Sequence, residues 1–182
     1  MDDLKLLKSA VPLLLEWYGV SKRELPWRGT HDPYRIWISE IMLQQTRVEA
    51  VKSYYLRFLE KFPTAQDLAA ADEEEVLKAW EGLGYYSRAC NLHKAAKMIA
   101  ENGVPTDFEG VRALPGIGDY TAGAICSIAY EKPCPAVDGN VLRILTRLLA
   151  DGRNIDEQAT RAAFAAELKR SIPRRPGISV RR

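Results

Sequence analysis

Two of the 24 acidic residues, Glu40 and Asp138, stand in contexts that set their protonation states apart. Glu40 lies in Trp37-Ile-Ser-Glu-Ile-Met-Leu-Gln-Gln-Thr46. At about 100° per residue, Tyr34, Trp37, Ile38, Ile41 and Met42 form one apolar stripe, and Ile36 with Leu43 forms a second. Glu40 falls between the stripes, while Arg35, Ser39 and Thr46 take the solvated edge. A carboxyl so placed is partly desolvated, which raises its pKa and suits it to deliver a proton. The same position is equally consistent with a surface glutamate paired to a cation such as Arg28. Asp138, in Val137-Asp-Gly-Asn-Val141, precedes an apolar helix and fits an N-cap. A carboxylate there stays ionised beside free N–H groups and the helix dipole, and is placed to stabilise a cation. One protonated and one ionised carboxyl make the pair that glycosidic-bond cleavage through an oxocarbenium-like transition state requires. Gln44 and Gln45 are either plain solvated residues or paired amides able to read a base edge.

Leu114-Pro-Gly-Ile-Gly118, followed by Asp119-Tyr120-Thr121-Ala122, places two glycines in a turn that opens onto a helix N-terminus. Such a turn binds phosphate through backbone N–H groups. An ordinary glycine turn between two helices explains the pentapeptide alone, but it also matches the helix-hairpin-helix pattern, which grips a DNA backbone without reading sequence. The turn is silent about the reaction. Gly82-Leu-Gly-Tyr-Tyr-Ser-Arg88 puts two aromatics on a glycine-flanked corner, either as core packing or as a wedge that enters a base stack. His93 reads as structural, and Tyr54, Tyr55, Phe58 and Phe62 read as a core stripe.

The elements that must position these groups are helices throughout, with no alternating strand, so the fold class is all-α. Helices are expected at about residues 4–18, 33–45 and 86–101, at 119–130 and at 139–149. Another ends at Phe62-Pro63, one is capped by Asp72 and closes at Gly82-Leu83-Gly84, and a last, capped by Asp156, runs to about Ser171. The chain has 182 residues, 47% hydrophobic and 27% charged, enough for a substantial core and incompatible with disorder. Its net charge of +2 rests on a tail, residues 169–182, with six basic and no acidic residues; the remainder is at −4. Charge therefore does not announce a nucleic-acid partner, and motifs must. Cys90, Cys126 and Cys134 lack the spacing of a disulfide frame or a zinc site and read as reduced thiols. No apolar run reaches the roughly 18 residues of a membrane span, and the acidic start is unlike a signal peptide, so a cytoplasmic, nucleoid-associated location is expected.

Taken together, Leu-Pro-Trp-Arg28, Ser-Glu-Ile-Met-Leu-Gln-Gln-Thr46, Gly-Leu-Gly-Tyr-Tyr-Ser-Arg-Ala89, Leu-Pro-Gly-Ile-Gly-Asp-Tyr-Thr-Ala122 and Val-Asp-Gly-Asn-Val141 resemble the adenine DNA glycosylases of the helix-hairpin-helix superfamily. The resemblance implies removal of adenine mispaired with guanine or 8-oxoguanine from double-stranded DNA, by a monomer active in base excision repair. It implies that Glu40 protonates the adenine and later handles water, and that Asp138 stabilises the sugar cation or its adduct, supported by Asn140 and Tyr120. Arg23, Trp27, Arg28, Leu43 and Gln44 would line or neighbour the adenine pocket. Gln45 and Tyr85 would enter the DNA stack, and Leu114, Gly116, Ile117 and Gly118 would hold a phosphate. Strand-cutting relatives carry a Schiff-base lysine just after the hairpin; Asp119-Tyr120 stands there instead, which implies a monofunctional enzyme. The fold it implies is a six-helix barrel lobe over residues 23–136, with residues 1–22 and 137–182 forming an incomplete second lobe.

The family continues past a Pro-x-x-Pro-Gly-like segment into four cysteines that hold a [4Fe–4S] cluster. Here Pro173-Arg-Arg-Pro-Gly177 is followed by five residues without cysteine, so the ligands of the family cluster are absent from this chain and no cofactor is encoded. The expectation is a truncation, a shifted reading frame or a cluster-free variant. The alternative function is a catalytically weak or inactive DNA-binding module of the same fold; a purely structural protein is the third reading. Nothing structural requires Ser39-Glu40 and Asp138-Gly-Asn140 to be kept together.

Overall fold

The computed structural model describes residues 3–172. The Pro173–Arg182 segment, where the chain departs from the family pattern, lies outside them. The described residues form ten helices and no strand: α1 (Asp3–Ser21), α2 (Pro33–Leu43), α3 (Val48–Lys61), α4 (Ala65–Ala70), α5 (Glu73–Trp80), α6 (Ser87–Asn102), α7 (Phe108–Arg112), α8 (Asp119–Ala129), α9 (Gly139–Leu149) and α10 (Gln158–Ser171).

Helix α2 is the centre of the larger cluster, packed on α3, α6 and α8. Asp32 starts it by accepting from the Tyr34 N–H at 2.9 Å, with Pro33 at the first helical position where its missing N–H is harmless. The first stripe is buried, and so is Ile36 of the second, with Leu43 half-buried; Ser39, which the helical wheel assigns to the solvated edge, is buried too. Packing on three sides leaves α2 no wet edge at that position, and the Ser39 hydroxyl is satisfied by donating to the Ile36 carbonyl at 2.7 Å. The helix stops at Leu43, short of the expected Gln45.

Tyr55, Phe58 and Phe62 are core, as their spacing predicts. Phe58 meets Phe62 at 5.0 Å and Trp80 at 6.0 Å, both edge-on, and its burial contributes about 1.5–3 kcal/mol. Two short helices escape the periodicity because they complete fewer than two turns. α4 is set by a Thr64/Asp67 capping box, and α7 by Asp107, which accepts from the Gly110 N–H at 2.9 Å. The last helix begins after Glu157, without a side-chain cap, so Asp156 does not cap it.

A second, smaller cluster joins Leu7 of α1, Leu142 and Leu145 of α9, and Phe164 of α10. The segment linking α8 to α9 lies across α8 at Gly123, where a Cβ would stand 2.3 Å from the Pro135 carbonyl oxygen. That close approach delivers Asp138 to its place.

Candidate active site

Between the two clusters opens a cavity of about 620 Å³. The α1–α2 connection lines it with Arg23, Trp27 and Arg28, helix α2 with Glu40 and Leu43, and the start of α9 with Asp138 and Asn140. These residues span more than a hundred positions of sequence, and the structure brings all seven to one volume. It is large enough for a nucleobase with its sugar.

Glu40, in the second half of α2, lines the cavity and is only 6% exposed. Asp138 is half-buried and does cap α9: one oxygen accepts from the Val141 N–H at 2.8 Å and the other from the Asn140 amide at 3.4 Å. Asn140 thus helps to orient the second oxygen of the carboxylate. Trp27 stands edge-on to Tyr55 at 5.4 Å, a rigid apolar wall. Arg28 lies over the Tyr18 ring at 5.4 Å and donates to the Arg23 carbonyl at 2.7 Å. Burial pulls its guanidinium below the usual arginine value, and Tyr18 opposes that shift.

Gln44 and Tyr120 stand outside the lining. The Gln44 amide donates to the Thr121 hydroxyl at 3.4 Å, tying the end of α2 to α8, and Tyr120 sits half-buried on the first turn of α8. The 114–118 turn is a separate feature. Leu114 and Ile117 are buried, the Ile117 N–H donates to the Leu114 carbonyl at 3.2 Å, and Gly116 takes φ +79°. Gly116 and Gly118 face solvent at the start of α8, whose first turn is steadied by an Arg112–Asp119 ion pair.

Gln45 and Tyr85 are both exposed and both left-handed, at φ 56° and 49°. For non-glycine residues that conformation costs about 1–2 kcal/mol each, and the surrounding structure must impose it. Sequence reasoning missed a residue that bonds the chain beside both of them. Arg88 is buried, with its Nη1 donating to the carbonyls of Ile41 at 3.0 Å, Met42 at 2.9 Å and Gln44. Its Nη2 donates to the Thr46 hydroxyl at 3.0 Å and to the carbonyls of Leu83 at 3.3 Å and Gly84 at 3.1 Å. Almost all its partners are backbone, so only the presence of an arginine after the glycine corner could have signalled it.

The cysteines do not fit a four-cysteine cluster. The chain has three, and among the described residues no group of three or more His, Cys, Asp or Glu is placed to hold a metal. Cys126 is buried, its thiol pushed up to about 11 by desolvation.

A family model described as HhH-GPD superfamily base excision DNA repair protein matches residues 38–170. The chain belongs to that superfamily. Within it, the chain is similar to adenine DNA glycosylases: 42% identical to that of Arabidopsis thaliana over 90% of this chain and 31% of the relative. It is 46% identical to the human protein over 76% of this chain and 28% of the relative. It is also 46% identical to the Mycolicibacterium smegmatis protein, over 74% and 47%. The chain thus spans less than half the length of each of these relatives. Among solved structures, a thermostable thymine-DNA glycosylase superposes with a TM-score of 0.82 at 28% identity, covering 93% of this chain and 79% of that one. A non-covalent endonuclease III–DNA complex superposes at 0.77 with 25% identity, covering 95% and 79%. The HhH-GPD match takes in Glu40, the 114–118 turn and Asp138 together.

Proposed function

We propose that this protein is a monofunctional adenine DNA glycosylase, hydrolysing the N-glycosidic bond of adenine mispaired with guanine or 8-oxoguanine in double-stranded DNA. The observation that carries the reading is the convergence of Glu40 with Asp138 and Asn140 in one cavity walled by Trp27 and Arg28. The names of the relatives support the choice of adenine.

In this reading the adenine, turned out of the duplex, lies against Trp27 and Leu43, with Arg23 and Arg28 bounding its polar edge and Gln44 neighbouring the pocket through its bond to Thr121. Glu40 gives its proton to the base as the bond to the sugar breaks, and the bonding electrons leave with the adenine. Asp138, held in orientation by Asn140 and by its bond from the Val141 N–H, stabilises the oxocarbenium-like sugar, and Tyr120 supports it. Glu40, now ionised, accepts a proton from the water that adds to the sugar, which restores the acid and leaves an abasic site. Glu40, Asp138 and water account for every proton and electron pair, so no step is routed through an iron–sulfur cluster. Asp119-Tyr120 rather than a lysine stands just after the hairpin, so no Schiff base forms there and the strand stays intact.

Leu114, Gly116, Ile117 and Gly118 hold a phosphate at the start of α8, and Gln45 and Tyr85 fill the stack. The barrel lobe of residues 23–136 and the flanking helices act as one monomer on the duplex. No described helix is long and apolar enough to cross a membrane; association with nucleoid DNA follows from the proposed substrate. The test is single-turnover incubation with a duplex carrying adenine opposite 8-oxoguanine, then alkali and strand-length measurement. Alkali-dependent scission at the adenine supports the reading. Intact strands from a folded, DNA-binding chain contradict it and leave the binding-module alternative.

A further inference from the structure

Residues 41–46 and 83–85 belong to different helices' ends, yet one buried side chain holds them both. Arg88 is 7% exposed, and its guanidinium makes six hydrogen bonds: three to carbonyls at the end of α2, one to the Thr46 hydroxyl, and two to the Leu83 and Gly84 carbonyls. Its acceptors flank Gln45 on either side, at Gln44 and Thr46, and end immediately before Tyr85. The guanidinium carbon also stands 5.6 Å from the Tyr85 ring centre and 5.3 Å from that of Trp80. Among the described residues no carboxylate pairs with it. The carbonyls at the negative end of α2 compensate the charge instead. The 82–84 corner is braced from two further sides. Trp80 Nε1 donates to the Gly84 carbonyl at 3.1 Å, and a Cβ at Gly82 would stand 2.1 Å from the Tyr54 hydroxyl oxygen.

We propose that Arg88 is a positioning residue that joins Gln45 and Tyr85 into one rigid two-pronged wedge, so that both side chains enter the base stack together as the adenine is turned out. The inference rests on the glycosylase reading above and adds to it a device that links the wedge to the helix bearing Glu40. A corner that served packing alone would bury its ring and use glycine at the left-handed position. Here a tyrosine is 61% exposed at φ 49°, and its counterpart across the guanidinium, Gln45, is exposed at φ 56°. The planar fork of arginine bonds two segments at once in fixed geometry, which a lysine ammonium does not reproduce.

The experiment compares the full chain with its Arg88→Lys variant on two duplexes. In one the adenine is paired with 8-oxoguanine; in the other it faces an abasic-site analogue, so little pairing opposes turn-out. A 2-aminopurine at the target position reports turn-out by fluorescence. The expected result is that turn-out and single-turnover release from the paired duplex fall on the order of tenfold more than those from the unpaired one. Thr46→Val removes one of the six acceptors and is expected to shift the same ratio by about threefold, which keeps the test available if Arg88→Lys does not fold. Equal losses on both duplexes, or no loss on either, overturn the wedge assignment. A wild-type chain that neither turns out nor releases the base overturns the glycosylase reading, and the wedge with it.

Discussion

Replacing Asp138 separates its structural part from its chemical one, because the structure gives each oxygen its own partner. One oxygen accepts from the Val141 N–H at 2.8 Å and caps α9; the other meets the Asn140 amide at 3.4 Å. Asp138→Asn keeps an oxygen for the cap and removes the charge. Asp138→Ala removes both. Loss of the cap costs about 1 kcal/mol, which in a chain of this size lowers Tm by roughly 2–4 °C. On the proposed mechanism, loss of the charge is expected to slow the chemical step by about 10²–10³-fold, as for other preorganised electrostatic groups. The asparagine variant is therefore expected to melt close to wild type and release adenine at least a hundredfold more slowly. The alanine variant should show the same slow release with the lower Tm. Calorimetry and single-turnover alkali assays measure the two quantities. An asparagine variant with wild-type release would remove the carboxylate charge from the mechanism, and an alanine variant with unchanged Tm would contradict the cap.

Other consequences are equally specific. Gly123→Ala drives a Cβ into the Pro135 carbonyl at 2.3 Å, so it should destabilise by about 1–3 kcal/mol and slow release by displacing the segment that carries Asp138; melting and release rates of the variant check both. Tyr85→Gly relieves a left-handed non-glycine residue, so it should hold or raise stability by up to about 1 kcal/mol while turn-out by 2-aminopurine fluorescence falls. A variant that loses stability and keeps turn-out contradicts the wedge. The Cys126 thiol has its pKa raised from 9.0 to about 11 by burial, with Cys134 adding to the shift. Between those values the folded state holds a proton that the unfolded state has released. Stability contributed by this group is present below pH 9.0 and is lost as pH rises towards 11. Cys126→Ala should flatten that part of the Tm–pH curve, and an unchanged slope would exclude the thiol as its source.

The residues proposed to carry the chemistry are legible in the sequence because their signals are local. An acid between two apolar stripes, an aspartate ahead of an apolar helix and glycines before a helix start each declare themselves within about ten residues of chain. The assembly is not. A helical wheel has an inside and an outside, so it placed Ser39 in solvent, whereas α2 is enclosed by three helices and Ser39 is buried. α4 and α7 are too short for a period to register, and their evidence lies in capping residues, Thr64 with Asp67 and Asp107. Arg88 was passed over for a different reason. A charged residue bonded to backbone carbonyls has no partner that residue types can reveal, and the segments it joins are some forty positions apart. The same holds for the Gly123–Pro135 approach, which sets where Asp138 stands and leaves no mark in periodicity.

Glu40→Gln removes the proposed acid and little else. The amide matches the carboxyl in size, so the 6%-exposed site in α2 keeps its packing while losing the group proposed to deliver the proton. With a duplex carrying adenine opposite 8-oxoguanine, the variant is expected to bind DNA within about twofold of wild type and to release adenine more slowly by at least the 10²–10⁴-fold typical of a lost general acid. Undiminished release from the variant would contradict the assignment of Glu40 as the acid that breaks the glycosidic bond.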